Sequence, residues 1–300
     1  MRYRLQHYDH APVTFGRTLA LSRDAEGRWY VDSDTPARKS AQQLWDQGEV
    51  SVVRGRHSLV LGTGRSSEEL HMYADLADRA VPAVSGAWRS DWARHVVVQV
   101  PRTLEGMAGL LGSPASQYRG IAAVTTGEVG GPARAPADRI IVNPDAYAIL
   151  GSLGKQVVLT HETTHVATRA HTTPATPLWL SEGYADWIGY LGTGRTPAQA
   201  APELARAVAA GRTPDALPTD KDFGFSGDAT KLAQAYEGGW LACRLIADRW
   251  GEARLGEFYR AVGDHRTRDG SVESAMAKVL GTTPEQFTEQ WREYLQDRLG

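Results

Sequence analysis

Two histidines four residues apart with a glutamate beside the first carry the clearest chemical signal in this 300-residue sequence. They lie in the run Val157-Val158-Leu159-Thr160-His161-Glu162-Thr163-Thr164-His165-Val166-Ala167. A spacing of four puts the imidazoles of His161 and His165 on one face of a helix, about 6 Å apart along its axis. Two neutral imidazoles so placed can share one Zn²⁺, each at about 2.0–2.1 Å. Glu162 projects about 100° around the helix from His161, beside such an ion rather than on it. From there it can take a proton from a water that the metal acidifies. The plainer reading is a helix whose histidines are only buried and hydrogen-bonded.

A catalytic tetrahedral zinc needs a third protein ligand and a position left open. Glu182, in Pro177-Leu178-Trp179-Leu180-Ser181-Glu182-Gly183-Tyr184-Ala185-Asp186-Trp187, stands among apolar and aromatic residues where an unpaired carboxylate is costly. A metal is its natural partner, and a solvent-facing helical glutamate is the alternative. Asp186 follows one turn later and can accept the remaining N–H of a ligand histidine, fixing its tautomer. An exposed helix charge is the plainer reading of Asp186. His171, six residues after His165, is the rival third ligand, as in H-E-x-x-H-x-x-G-x-x-H sites. Those sites need a glycine to break the helix, and position 168 is threonine. The remaining histidines, His7, His10, His57, His71, His95 and His265, show no ligand spacing.

The two segments together resemble the gluzincin zinc peptidases, the group that includes thermolysin and the aminopeptidase-N-like enzymes, and the sequence is similar to the loosely defined peptidase MA-like proteins. The resemblance implies a zincin-like α+β fold, zinc on His161, His165 and Glu182, and Glu162 as general base. It also places Asp186 against the first histidine. Gln234-Ala235-Tyr236-Glu237-Gly238-Gly239-Trp240 resembles the Y-E-K-G segment of aminopeptidase-N-like enzymes, which gives Tyr236 the role of stabilising the oxyanion. A core tyrosine is the alternative for Tyr236. The sixteen residues between His165 and Glu182 make a shorter connection than those families have, and no G-x-M-E-N segment precedes the motif. Arg139–Asn143 stands where that segment's edge strand is expected, free to pair with a substrate backbone. The implied activity is hydrolysis of peptide bonds in a peptide or protein substrate. The rivals are a non-catalytic binding module that zinc only stabilises, a site using His171, and a latent enzyme whose site is covered by the Gly-rich stretch 127–136.

Elements of two kinds must position these residues. Strand-like runs fall at Val13–Ser22, Arg28–Val31, Val50–Leu61, His95–Val100, Ile121–Thr126 and Arg139–Val142, rich in β-branched residues. Helical periodicity falls at Glu68–Val84 and Thr103–Leu111, then almost continuously in Gly154–Ala170, Leu178–Leu191, Pro202–Ala210, Ala229–Trp250, Ala253–Val262, Val272–Leu280 and Pro284–Leu299. The expected organisation is a short β-rich segment at 1–36, an α/β subdomain at 50–145 and a helical subdomain at 146–300. The zinc site is expected in the cleft between the last two.

Composition narrows the function further. With 42% hydrophobic and 23% charged residues, the chain has the make-up of a globular protein. Its formal charge of −2 provides no basic field for nucleic acid. Cys243 is the only cysteine, so neither an internal disulfide nor a cysteine-based zinc site can form. No apolar run reaches the roughly 20 residues of a membrane helix, and direct membrane insertion by this chain is not expected. The N-terminus has no apolar signal segment. The expected compartment is the cell envelope or exterior if a signal or anchor precedes this sequence in the native protein, and the cytoplasm otherwise.

Overall fold

The computed structural model describes residues 1–36, 41–127, 135–224 and 228–300. The chain divides into two compact units. One comprises Met1–Asp78, His95–Gly127 and the chain up to Leu150; the other comprises Arg79–Arg94 and Gly151–Gly300. The architecture is mixed α+β, a five-stranded sheet and a helical bundle.

The first unit opens with two small antiparallel pairs. β1 (Arg2–Tyr3) pairs with β2 (Val13–Thr14), and β3 (Arg17–Arg23) pairs with β4 (Trp29–Pro36) across a turn at Gly27. The five-stranded sheet contains β5 (Val50–Arg54), β6 (Ser58–Thr63), β7 (Val96–Val100), β8 (Ala123–Thr125) and β9 (Arg139–Val142) in the order β5-β6-β7-β9-β8. β6, β7 and β9 run parallel, with antiparallel β5 and β8 on the two edges. Two sequence expectations are corrected here. The run Val50–Leu61 is a hairpin rather than one strand, because Asp78 accepts from the backbone N–H of Arg56 and His57 and from the Ser58 hydroxyl, closing a turn at Gly55-Arg56-His57. Arg139–Val142 is not an edge strand: β7 and β8 pair with it on both sides and all four residues are buried, so β8 holds that edge of the sheet.

The N-terminal segment is tied to β9 by a buried ion pair. One Arg139 guanidinium nitrogen reaches both Asp9 oxygens, at 2.8 and 2.9 Å. Asp9 also accepts from the backbone N–H of Leu5 and Ala137, so its charge is fully partnered, as a buried carboxylate requires.

Helix α1 (Ser67–Ala87) follows the hairpin, α2 (Leu104–Leu111) follows β7, and α3 (Pro144–Ala148) follows β9, capped by Asn143. The second unit contains α4 (Ser152–Thr168), α5 (Leu178–Tyr190), α6 (Pro197–Ala200), α7 (Pro202–Ala209), α8 (Ala229–Trp250), α9 (Glu252–Gly263), α10 (Ser271–Ala275) and α11 (Pro284–Leu299). Capping sets several of its boundaries. Thr196 and Thr283 each form a reciprocal capping box with a glutamine three residues on, followed by proline in the first turn. α10 continues as one widened turn, Met276–Leu280, whose last carbonyl accepts from the Trp250 indole at 2.8 Å. The core joins Leu180, Tyr184, Leu241, Phe258, Phe287 and Trp291, each at most 1% exposed. Removing their apolar surface from water, at about 25 cal/mol per Å², is what holds these helices together. Among the described residues no helix is long and apolar enough to cross a membrane.

Candidate metal centre

Every residue singled out for chemistry lies in the second unit. Helix α4 carries His161, Glu162 and His165 in a stretch where threonine, a weak helix former, recurs. Three of its buried hydroxyls are satisfied within the helix: Thr160, Thr164 and Thr168 each donate to the carbonyl four residues back, at 2.8, 2.8 and 3.0 Å, whereas the buried Thr163 hydroxyl has no partner among the described residues. Back-bonding of this kind lets a polar residue sit inside a packed helix without an orphan donor.

Three glycines set how closely the neighbouring helices approach. A side chain at Gly189 of α5 would press on Val157 of α4, at 3.2 Å from both its carbonyl oxygen and one methyl. On the other side of α5, a Cβ at Gly183 would collide with the Gly239 carbonyl of α8, and one at Gly239 would lie 2.7 Å from the Trp179 carbonyl. The helices therefore touch backbone to backbone beside Glu182. This contact was not read from the sequence, although the Gly238-Gly239 pair in the middle of a long helix is a visible signal.

The result is a small triangle of donors. His161 Nε2 lies 3.0 Å from His165 Nε2 and 3.2 Å from Glu182 Oε2, and His165 Nε2 lies 3.3 Å from the same oxygen. Three ligands at 2.0–2.1 Å from one tetrahedral ion lie about 3.3 Å apart. The observed triangle fits that size, with imidazole and carboxylate donors of the type zinc takes. It is the group of three or more possible ligands that the described residues bring together. Asp186 Oδ1 accepts from His161 Nδ1 at 2.8 Å, leaving Nε2 to face the triangle.

The electrostatics follow from the crowding. Burial opposes charge on His161, but Asp186 and Glu182 outweigh it and hold the imidazole well above its usual range. Burial likewise opposes charge on Glu182, yet His165 and His161 hold its carboxyl far below the ordinary carboxylate range. A cation and protons would therefore compete for one place. Glu162 is 6% exposed, and its charge reaches both His161 and Tyr236. The Tyr236 ring lies 6.5 Å from that of His161 and meets Phe223 edge-on at 5.1 Å. Burial, followed by the charges of Glu182, Asp186 and Glu162, pushes its hydroxyl well above the normal tyrosine range. It is a neutral donor at any physiological pH.

His171 is not brought to the triangle. It ends the turn after α4, with its ring edge-on to Trp88 at 5.5 Å. Burial and the nearby Arg260 lower its pKa. The continuous helix through Thr168 carries the rival candidate past the other two histidines, with no glycine there to break the helix and swing it back toward them. Of the Gly-rich stretch 127–136, residues 128–134 lie outside the described residues.

A residue that the sequence reading passed over sits beside Tyr236. Glu237 accepts from the first backbone N–H groups of α7, Glu203 at 3.2 Å and Leu204 at 2.6 Å, tying α8 to α7 one residue from the tyrosine. Burial raises its carboxyl to about 7, against the pull of those donors.

No family model matches the sequence, and no curated protein matches it. Among solved structures, the chain is similar to native yeast LTA4 hydrolase, at 13% identity and a TM-score of 0.49, covering 95% of this chain and 45% of that one. It is also similar to an M1 zinc metallopeptidase from Deinococcus radiodurans, at 15% identity and a TM-score of 0.40, covering 94% of this chain and 61% of that one. The chain spans less than two thirds of the length of either. Likenesses this loose assign no activity.

Proposed function

We propose that this chain is a zinc-dependent metallopeptidase of the gluzincin type, with a zincin-like fold, that hydrolyses peptide bonds in peptide or protein substrates. The observation that carries the reading is the donor triangle of His161, His165 and Glu182, with Asp186 on the outer nitrogen of His161. These three residues would hold the ion, and Asp186 keeps the Nε2 lone pair of His161 aimed at it. The ion would polarise the substrate carbonyl and acidify the attacking water. Glu162 removes a proton from that water at its carboxylate and passes it to the departing amine. Tyr236, held neutral, donates its O–H to the oxygen on which negative charge develops.

A purely structural zinc closes with four protein ligands. The group among the described residues stops at three, and Glu162 beside it has no purpose in such a site. The discriminating experiment measures metal content and cleavage of a peptide library together. Glu162→Gln is expected to keep one zinc per chain and lose about 10³-fold in rate, within the span for general bases. Glu182→Ala is expected to lose the zinc itself. Zinc retained without cleavage in the unaltered chain would instead support the non-catalytic module.

A further inference from the structure

Beyond the donor triangle, α5 and α8 continue side by side. His161 meets Asp186 of α5 and Tyr236 of α8. Four residues further along each helix, about 6 Å on, Tyr190 and Trp240 meet with ring centroids 5.3 Å apart and planes tilted by 50°. Next to this pair is a cavity of about 290 Å³, walled by Trp187, Tyr190 and Trp240. Trp187 and Trp240 are 5% and 3% exposed, so their positions are set by the core rather than by solvent.

The lining also carries charge of both signs. Arg244 lies with its guanidinium carbon 5.5 Å from the Trp240 ring centre, and its contact with Asp248 is long, at 3.8 Å. The Asp248 oxygen nearest Arg244 already accepts from the Tyr294 hydroxyl at 2.6 Å, which leaves its other oxygen for a ligand. Arg195 is exposed and forms no ion pair among the described residues. Gly192 and Gly194, at φ 72° and 70°, turn the chain through two left-handed positions that bring Arg195 to the cavity. Glu252, at the start of α9, supplies the second carboxylate of the lining.

Rigid aromatic walls accept a planar ring. Two guanidiniums donate to a carboxylate, and two carboxylates accept from an ammonium. A ligand of one sign only would meet a like charge here, whereas a zwitterion meets none unpaired. The volume lies at the small end of ligand cavities, which suits a single residue rather than an extended peptide. We propose that this cavity is a binding site for a free aromatic α-amino acid, separate from the metal triangle. The site does not rest on the peptidase reading, since no residue lining it belongs to the triangle.

Calorimetric titration of the full chain with L-phenylalanine tests it, with zinc bound and again after chelation. Saturable binding of one ligand per chain is expected in both forms. N-acetyl-L-phenylalanine amide, which lacks both charges, is expected to bind at least tenfold more weakly. Arg195→Glu, at an exposed position that leaves the fold intact, should weaken L-phenylalanine at least tenfold. Ala247→Phe, which fills the cavity, should abolish binding, with circular dichroism checking that both variants are folded. No heat with the unaltered chain overturns the proposal, as does equal binding by folded variants of both kinds. Binding that disappears on chelation overturns it too, by placing the ligand at the metal triangle.

Discussion

The donor triangle and the β3–β4 hairpin are both rich in apolar and aromatic residues, yet they treat them in opposite ways. Around the triangle, Thr163, Thr164, Leu180 and Tyr184 are at most 1% exposed, and glycines bring backbones into contact. On the hairpin, Leu19, Leu21, Trp29, Tyr30 and Val31 are between 44% and 66% exposed. The hairpin is held by its ladder and by Arg17, which pairs with Asp34 and Asp46 at its base. A two-stranded ribbon has no second layer against which to bury a face, and is marginal in water for that reason. Apolar residues do not by themselves order a segment. What fixes α4, α5 and α8 is a facing surface at a distance that three glycines set, and the side chains that could do chemistry are where the backbone has the least freedom.

The comparison predicts a gradient of sensitivity. The largest effect belongs to Gly183→Ala, whose new methyl meets the Gly239 carbonyl. It is expected to cost roughly 3 kcal/mol of stability, read by denaturant unfolding, with loss of zinc as the helices part. A loss under about 1 kcal/mol with zinc retained would show that the glycine contact does not lock the site.

Asp186→Asn probes the triangle without touching its packing. Replacing the carboxylate that holds His161 Nδ1 is expected to weaken zinc by about 10–100-fold in competition with a chelator. Unchanged affinity would remove Asp186 from the site.

Glu237→Gln acts more gently, through pH. The carboxyl of Glu237 is raised to about 7 in the fold, chiefly by burial, so the folded state binds its proton more tightly than the unfolded chain does. That contribution to stability is fully present below the unfolded value, about 4.3, and is lost as pH rises through about 7. Glutamine cannot ionise, and still offers an acceptor to α7. The variant should therefore flatten the fall in stability across that window, followed by thermal unfolding as a function of pH. A parallel shift of the whole profile would show that Glu237 does not titrate there.

The smallest effect is expected on the hairpin. Trp29→Ser removes a large ring that is 66% exposed, and global stability should move by less than about 0.5 kcal/mol. A larger loss would mean that the ring is covered in solution and that the contrast between the two regions is weaker than it looks.

The positions of the α5 and α8 helices, the spacing of His161 and His165, and the break at Gly281–Pro284 were legible because each is a local signal. Helical period, caps and prolines act over a few residues. The edge of the sheet was not legible in the same way. The resemblance puts an edge at Arg139–Asn143, although an unbroken apolar run such as Ile140-Ile141-Val142 is what a strand covered on both sides shows. The hairpin at Gly55-Arg56-His57 depends on Asp78, about twenty residues downstream; Gly55 is a local turn signal inside Val50–Leu61, but the partner that closes the turn lies outside the run.

The sequence alone determined which side chains could share an ion from one helix, because a spacing of four on an α-helix leaves them only one common face. It also confined the chain to a mixed fold with a helical second half. Tertiary structure decided that Glu182, and not His171, stands beside the two histidines. That choice depends on whether α4 bends after His165, and on how closely α5 can approach it. Both are properties of contacts between residues far apart in the chain, which no local pattern encodes.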